Sequence, residues 1–387
     1  MILYGDLAPV GNRISLEQNA DCVLEAMLGE HQYWLDSGTS ALALALLDAK
    51  ANFPDVQKPR AIIPGYCCPD LVAACVYAGV EAVAVDIGAN DPAYDLAQLR
   101  VHLDANVIAV IAINFLGIRE RLDELRALIA ELNLPARLIE DNAQWFPAAA
   151  SEVEFNADYV TFSFGRGKPM SLLGGGLLCA KRPVVASAVA RIEKSAQPSR
   201  LLPLKIAAYN LLLKPQLYQL LNRNPLLRLG ETRYVPLDYI AQFDSYRRAL
   251  VTANFILHSA RNNDLSQSFD SVVLAGGLQQ LDQNCAARQM PLLRYPLLCP
   301  DEKMRDQLLA QLSSAGLGAS PMYAAAIDQI AGVDNLITVP EPLHNARHFA
   351  QRFMTLPVHR QVSLPYRERI LSLLRAAGAN PLSSAAH

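Results

Sequence analysis

The chain reads as an α/β protein, with a parallel or mostly parallel central sheet covered by helices on both faces and a smaller α+β region behind it. Three observations point there. From residue 35 to about 185, short apolar runs alternate with helix-like stretches. Those runs are apolar throughout instead of alternating, which marks strands buried on both faces. After about residue 245 the text changes to a proline-bounded strand and two amphipathic helices. A chain of 387 residues has room for two domains. We divide it into a large domain, 1–245, and a small one, 246–387. The large one carries an N-terminal arm over 1–30 and an apolar helical insert over 196–230.

In order, the expected strands are "AIIP" (61–64), "EAVAVD" (81–86), "VIAVIAIN" (107–114), "RLIED" (137–141), "DYVTF" (158–162) and "GLLCA" (176–180). Leu122, Leu125, Leu128, Ile129 and Leu132 recur at helical spacing, with Pro135 just beyond. The leucine-rich 196–230 stretch reads as two short helices that form a core piece or subunit contact. Its few Lys and Arg residues make no dense basic face for a membrane surface. Further on, "PLLRYPLLCP" reads as a strand. "EKMRDQLLAQLSSAG" and "YRERILSLLRAAG" read as helices stopped at Gly316 and Gly378.

Composition narrows the function. Hydrophobic residues make up 52% and charged ones 18%, enough for a large core. The formal net charge is −3 without runs of one sign, so no nucleic-acid partner is expected. The start, "MILYGDLAPVGNR", lacks a basic region followed by an apolar run, so no secretory signal is expected. "VIAVIAINFLGI" is too short to cross a bilayer and reads as a buried strand. Seven cysteines without a C-x-x-C pair disfavour structural zinc and a disulfide framework, and fit a reducing cytoplasm. His344 and His348 lack the glutamate of H-E-x-x-H and read as two histidines on a polar helix, so no metal site is expected.

Three features could carry chemistry. Lys168 stands in "SFGRGKPMSLLGGG". A phosphate-loop role would need Gly at 162 and Ser or Thr at 169, where the chain has Phe162 and Pro169. Pro169 also keeps Lys168 out of helical geometry, so the lysine belongs in a turn. Flanked by glycines and apolar residues, it suits a nucleophilic amine, although an exposed loop lysine fits this segment equally well. "DSGTS" opens an Ala/Leu run of high helix propensity. Gly38, Thr39 and Ser40 at that helix start could hold an anion, although an ordinary N-cap explains them as well. Asp141 ends an apolar strand, where ligands of such sheets bind, and could hold a cationic ring nitrogen or simply cap a helix. Together, a phosphate cup, a ring-nitrogen acid and a lysine in a Gly-rich turn are what pyridoxal 5′-phosphate needs.

With these motifs goes a run of others in order: "IIPGYCCPDLVAACVYAGVEAVAVDI", "INFLGIRERLDEL" and "LIEDNAQ". In this the chain resembles the DegT/StrS family of PLP-dependent sugar aminotransferases, of fold type I, the aspartate aminotransferase-like group. The resemblance implies that Lys168 forms the Schiff base and shuttles the proton. It pairs Asp141 with the pyridine nitrogen, brings Gln144 to the ring hydroxyl, and sets Gly38, Thr39 and Ser163 on the phosphate. The ring-stacking position, often aromatic in the family, is Cys68 here. A His–Tyr pair expected near the substrate is Met322 and Tyr323. A partner-subunit asparagine segment aligns only with "LGETRYVPL" (229–237).

The activity so implied moves an amino group from an amino acid, glutamate by expectation, to a nucleotide-linked keto-sugar, in a homodimer. Family dehydratases replace the lysine, and this chain keeps it. The alternatives are another amine or elimination reaction on the same fold, or a non-catalytic binding relative.

Overall fold

The computed structural model describes residues 5–149, 156–194, 200–223, 232–261, 264–275, 278–281 and 292–379. Its centre is an eight-stranded sheet: β1 (His31–Leu35), β2 (Arg60–Pro64), β3 (Glu81–Val85), β4 (Val107–Ile113), β5 (Arg137–Asn142), β6 (Tyr159–Ser163), β7 (Gly176–Ala180) and β8 (Ile337–Thr338). The spatial order is β1-β7-β6-β5-β4-β2-β3-β8. All six expected strands are present. Only β7 runs against the others, pairing antiparallel with β6 on one side and β1 on the other.

The uniform apolar runs have the predicted cause. Ala61 and Ile63 of β2 face one core cluster, while Ile62 faces another. Likewise Ala82 and Ala84 of β3 face the first, and Val83 and Val85 the second. Helix α1 (Gly38–Asn52) fills the first face, and its Ala/Leu run from Ala41 to Leu46 is buried all round. Such a helix needs no amphipathic stripe, because it is sandwiched between the sheet and α2 (Asp70–Ala78). The second face is covered by Leu125 and Ile129 of α3 (Leu122–Glu131), together with residues from helices after position 200.

The leucine-rich stretch forms two helices, α4 (Leu202–Leu212) and α5 (Pro215–Asn222). The ends of the expected insert, 196–199 and 224–230, lie outside the described residues, as do 229–231 of "LGETRYVPL". Leu202 and Ile206 are buried in the second core, but Leu204, Leu211 and Leu220 are exposed. Helix α6 (Ser245–Ser259), capped by Asp244, adds Leu250, Val251 and Phe255 to the same core.

Behind it, a small antiparallel sheet of Gln279–Gln280, Arg294–Leu298 and Phe353–Pro357 packs with helices over a third core. Gly316, in the left-handed region, ends the helix Glu302–Ser314 as expected. Gly378 does not end its helix, which runs Leu364–Ala379. Burial of Ile370, Leu371 and Leu374 outweighs the roughly 1 kcal/mol that one helical glycine costs. His344 and His348 lie exposed on the helix His344–Arg352. Among the described residues there is no metal-ligating cluster, and no helix is long and apolar enough to cross a membrane.

Candidate active site

A cavity opens where β4, β5 and β6 end, at the carboxyl edge of the sheet. Gly38, Thr39, Cys68, Asp141, Gln144, Ser163 and Lys168 all line it. Ser40 does not. Ser37 is the N-cap of α1, and its Oγ accepts from the Ser40 N–H at 3.0 Å and lies 2.8 Å from the Ser40 Oγ. The third N–H of the helix is thus capped from within, and Ser40 is wholly buried. Gly38 and Thr39 are left at the cavity with the positive end of the helix behind them. A Cβ on Gly38 would stand 2.6 Å from the Ser163 Cβ, so only glycine lets the helix start approach β6 this closely.

Lys168 sits in a loop pinched shut at its neck. The Phe164 N–H donates to the Gly175 carbonyl at 2.8 Å, and the Leu172 N–H returns to the Phe164 carbonyl at 2.8 Å. Gly175 in turn donates to the Asp36 carbonyl at 2.7 Å, tying the loop to the start of α1. Across this seam, a Cβ on Gly176 would stand 2.1 Å from the Ser37 carbonyl oxygen. The lysine lies in a turn, as Pro169 requires, and its N–H donates to Gly165 at 3.3 Å.

Asp141 is buried in the cavity wall. Its Oδ1 accepts from the Ala143 N–H at 2.9 Å and from the Thr161 hydroxyl at 3.4 Å. Its Oδ2 has no hydrogen-bond donor among the described residues. Burial raises the Asp141 pKa above its usual value, and the Ala143 N–H and the Lys168 charge partly offset that. A buried carboxylate with one unspent oxygen suits a cationic N–H donor.

Gln144 is held at both ends. Its Oε1 accepts from the Leu116 N–H at 3.1 Å, and its Nε2 donates to the Tyr323 hydroxyl at 2.7 Å. Tyr323 lines the cavity too, and its own carbonyl accepts from the Tyr66 hydroxyl at 2.9 Å. The neighbouring Met322 does not line it. Burial pushes the Cys68 thiol up to about 12; Asp70 adds to this and Lys168 works against it.

Thr161 and Asp70 also line the cavity and were not singled out in the sequence. Strand alternation could have found Thr161, which shares a face of β6 with Ser163. The residues present therefore fit pyridoxal phosphate: a helix start for the phosphate, an unspent carboxylate oxygen for the ring nitrogen, and a primary amine.

A family model described as the DegT/DnrJ/EryC1/StrS aminotransferase family matches residues 23–201 and 265–375. No curated protein sequence matches significantly. Solved structures match over nearly the whole chain. A protein named as a sugar aminotransferase, Spr1654 from Streptococcus pneumoniae, in its PMP-form, is 15% identical, with 95% of this chain and 94% of that chain covered and a TM-score of 0.66. DesV from S. venezuelae, in complex with a ketimine intermediate, is 17% identical over 92% and 86%, with a TM-score of 0.64. A mutant of GDP-4-keto-6-deoxymannose-3-dehydratase (ColD) with bound GDP-perosamine is 16% identical over 91% and 90%, with a TM-score of 0.65. With three quarters of its length under the family model and the fold shared throughout, the chain belongs to the DegT/DnrJ/EryC1/StrS aminotransferase family and is a pyridoxal-phosphate-dependent aminotransferase of fold type I.

Proposed function

We propose that the chain transfers an amino group from an amino acid, glutamate by preference, to a keto-sugar carried on a nucleotide. The observation that carries this reading is the meeting of Lys168 and Asp141 in one cavity, with an oxygen of Asp141 unspent. When bound, pyridoxal phosphate supplies an electron sink for the carbon that loses its proton. The chain's own residues do the rest. The Lys168 amine would hold the cofactor covalently, and its Nζ would move the proton. Asp141 keeps its charge against the ring nitrogen, where a cation compensates its burial. Gly38, Thr39 and Ser163 hold the phosphate. Gln144, already clamped by Leu116 and Tyr323, has a second amide hydrogen for the ring hydroxyl. Cys68, a neutral thiol on the cavity wall, would offer the ring a small polarisable surface.

Retention of Lys168 favours transamination over dehydration, as does the family's description. The test is to convert the holoenzyme to its amino form with glutamate, then screen nucleotide-linked keto-sugars for return of the starting absorbance. No glutamate response, or none with any keto-sugar, would reject this donor and acceptor. We also propose a two-fold homodimer that covers Leu204, Leu211 and Leu220, which the single chain leaves exposed. Light scattering at the mass of one active chain would refute it.

A further inference from the structure

A second cavity shares the lysine loop. Pro169, Met170 and Ser171 form one wall, and Gly11–Arg13, the end of α6 with Arg261, and Arg360 with Gln361 form the others. Its charge is one-sided: Arg13, Arg261 and Arg360 line it, and among the described residues no carboxylate does. The amide side chains are already spent on backbone. The Asn12 Nδ2 donates to the Pro169 carbonyl at 3.2 Å, and the Gln361 Nε2 to Gly11 at 3.4 Å. Asn254 donates to Ser15 at 3.1 Å and to Leu250 at 2.8 Å.

The cationic side chains are not spent. Arg261 gives its Nη2 to the Leu292 carbonyl at 2.8 Å and leaves its Nη1 buried without a partner. Arg360 gives its Nη2 to the Ala260 carbonyl at 3.0 Å. Arg13 has no hydrogen bond to a described residue. His258 is 4% exposed, and its Nε2 lies 2.9 Å from the Phe146 carbonyl. That bond requires a proton on Nε2, which leaves the buried Nδ1 as the acceptor of the neutral ring, with the Pro169 carbonyl also beside the ring.

Arginines beside a helix C-terminus are favoured by its dipole, which accounts for the Arg360 bond to the α6 cap. It does not account for three guanidinium groups around one hollow. The Arg360 charge acting on the buried Arg261, and the unmet Arg261 donor, oppose the arrangement until an anion arrives. We propose that this cleft binds a phosphate-class dianion, with Arg13, Arg261 and Arg360 around its oxygens and the His258 Nδ1 accepting from an O–H beside the charge. Hydrogenphosphate and the phosphate ester of a sugar both carry that O–H; sulfate does not. Burial and the Arg261 charge push His258 down to about 4, so it remains a neutral acceptor in the working range.

The test uses the holoenzyme, whose own phosphate cup is filled by the cofactor. Inorganic phosphate, sodium sulfate and glucose 1-phosphate are titrated at equal ionic strength, by calorimetry and by thermal melting. Phosphate should bind and raise the melting temperature more than sulfate does. Arg13→Ala with Arg360→Ala, both at exposed positions, should weaken phosphate binding roughly tenfold or more with kcat unchanged. Arg13→Ala alone, the milder change, should weaken it several-fold. Tighter binding of the sugar phosphate would identify an ester as the ligand, and tighter binding of phosphate the free ion. Equal binding in wild type and variants, no binding, or sulfate bound as well as phosphate would overturn the proposal. So would an altered oligomeric state of the ligand-free double variant, since a second copy's carboxylate would then be the occupant.

Discussion

Two cavities meet at the loop that carries Lys168, and they treat charge in opposite ways. In the first, a lysine shares the wall with Asp141 and Asp70, and each buried group finds part of its compensation inside the chain. In the second, one residue further along, three arginines line the wall and no acid among the described residues answers them. The first is preorganised for chemistry, because its dipoles and charges are in place before a substrate enters. The second is unbalanced, and an unbalanced hollow is a site that waits for its counter-charge. Neighbours in sequence thus sit in unlike fields because the pinched loop turns them to different cavities.

The sharpest way to break the comparison is Lys168→Ala. It should lower turnover by roughly a thousandfold or more while phosphate binding at the arginine cleft persists. Borohydride reduction of the wild type, digestion and mass spectrometry should place a pyridoxyl group on Lys168. A label on another lysine would sink the assignment. Next in size is Asp141→Asn, which keeps the shape and removes the charge. A loss of roughly a hundredfold in kcat is expected, again with the arginine cleft untouched. Near-normal turnover would reduce Asp141 to an acceptor for the Ala143 N–H.

Smaller still is an effect of pH on stability. Burial pushes both His258 and His359 down to about 4 from 6.5. Below 6.5 the unfolded chain takes up their protons and the folded one does not, so stability is complete above 6.5 and falls as pH drops toward 4. Thermal melts across that window should show the decline, and His258→Gln should make it shallower. A flat melting temperature between 6.5 and 4 would show that these rings are not held neutral.

What the sequence disclosed follows the length and burial of each element. The six strands it showed are continuous apolar runs, and their residues face two cores. β1 escaped notice because "HQYWL" is half-buried over four of its five positions and mixes polar with aromatic residues. β8 is two residues long and joins the sheet from position 337, too little text to carry a period. The cavity residues were legible because each stands beside a turn or a strand end with a chemical reason to be there. Ser40 was placed on the wrong side of its own helix start, since composition does not tell which hydroxyl a cap will claim. The arginine cleft was not legible at all. Arg13, Arg261 and Arg360 come from three distant stretches, and only the tertiary fold gathers them.

The glycine seam beside Lys168 also sets the order in which this chain can diverge. A methyl on Gly176 meets the Ser37 backbone, which no other substitution can move aside. A methyl on Gly38 meets the Ser163 side chain first, its Cβ at 2.6 Å and its Oγ at 2.8 Å, which a prior change can delete, with the Ser163 Cα behind at 3.3 Å. A descendant lineage can therefore lose Gly38 more cheaply after giving up the whole Ser163 side chain, and it cannot lose Gly176 by any comparable route. The thermal stabilities of Gly38→Ala, Ser163→Gly and the pair measure this one-way path. The alanine should cost clearly less once the serine is gone than it does alone, and additive costs would show that the two positions are not coupled.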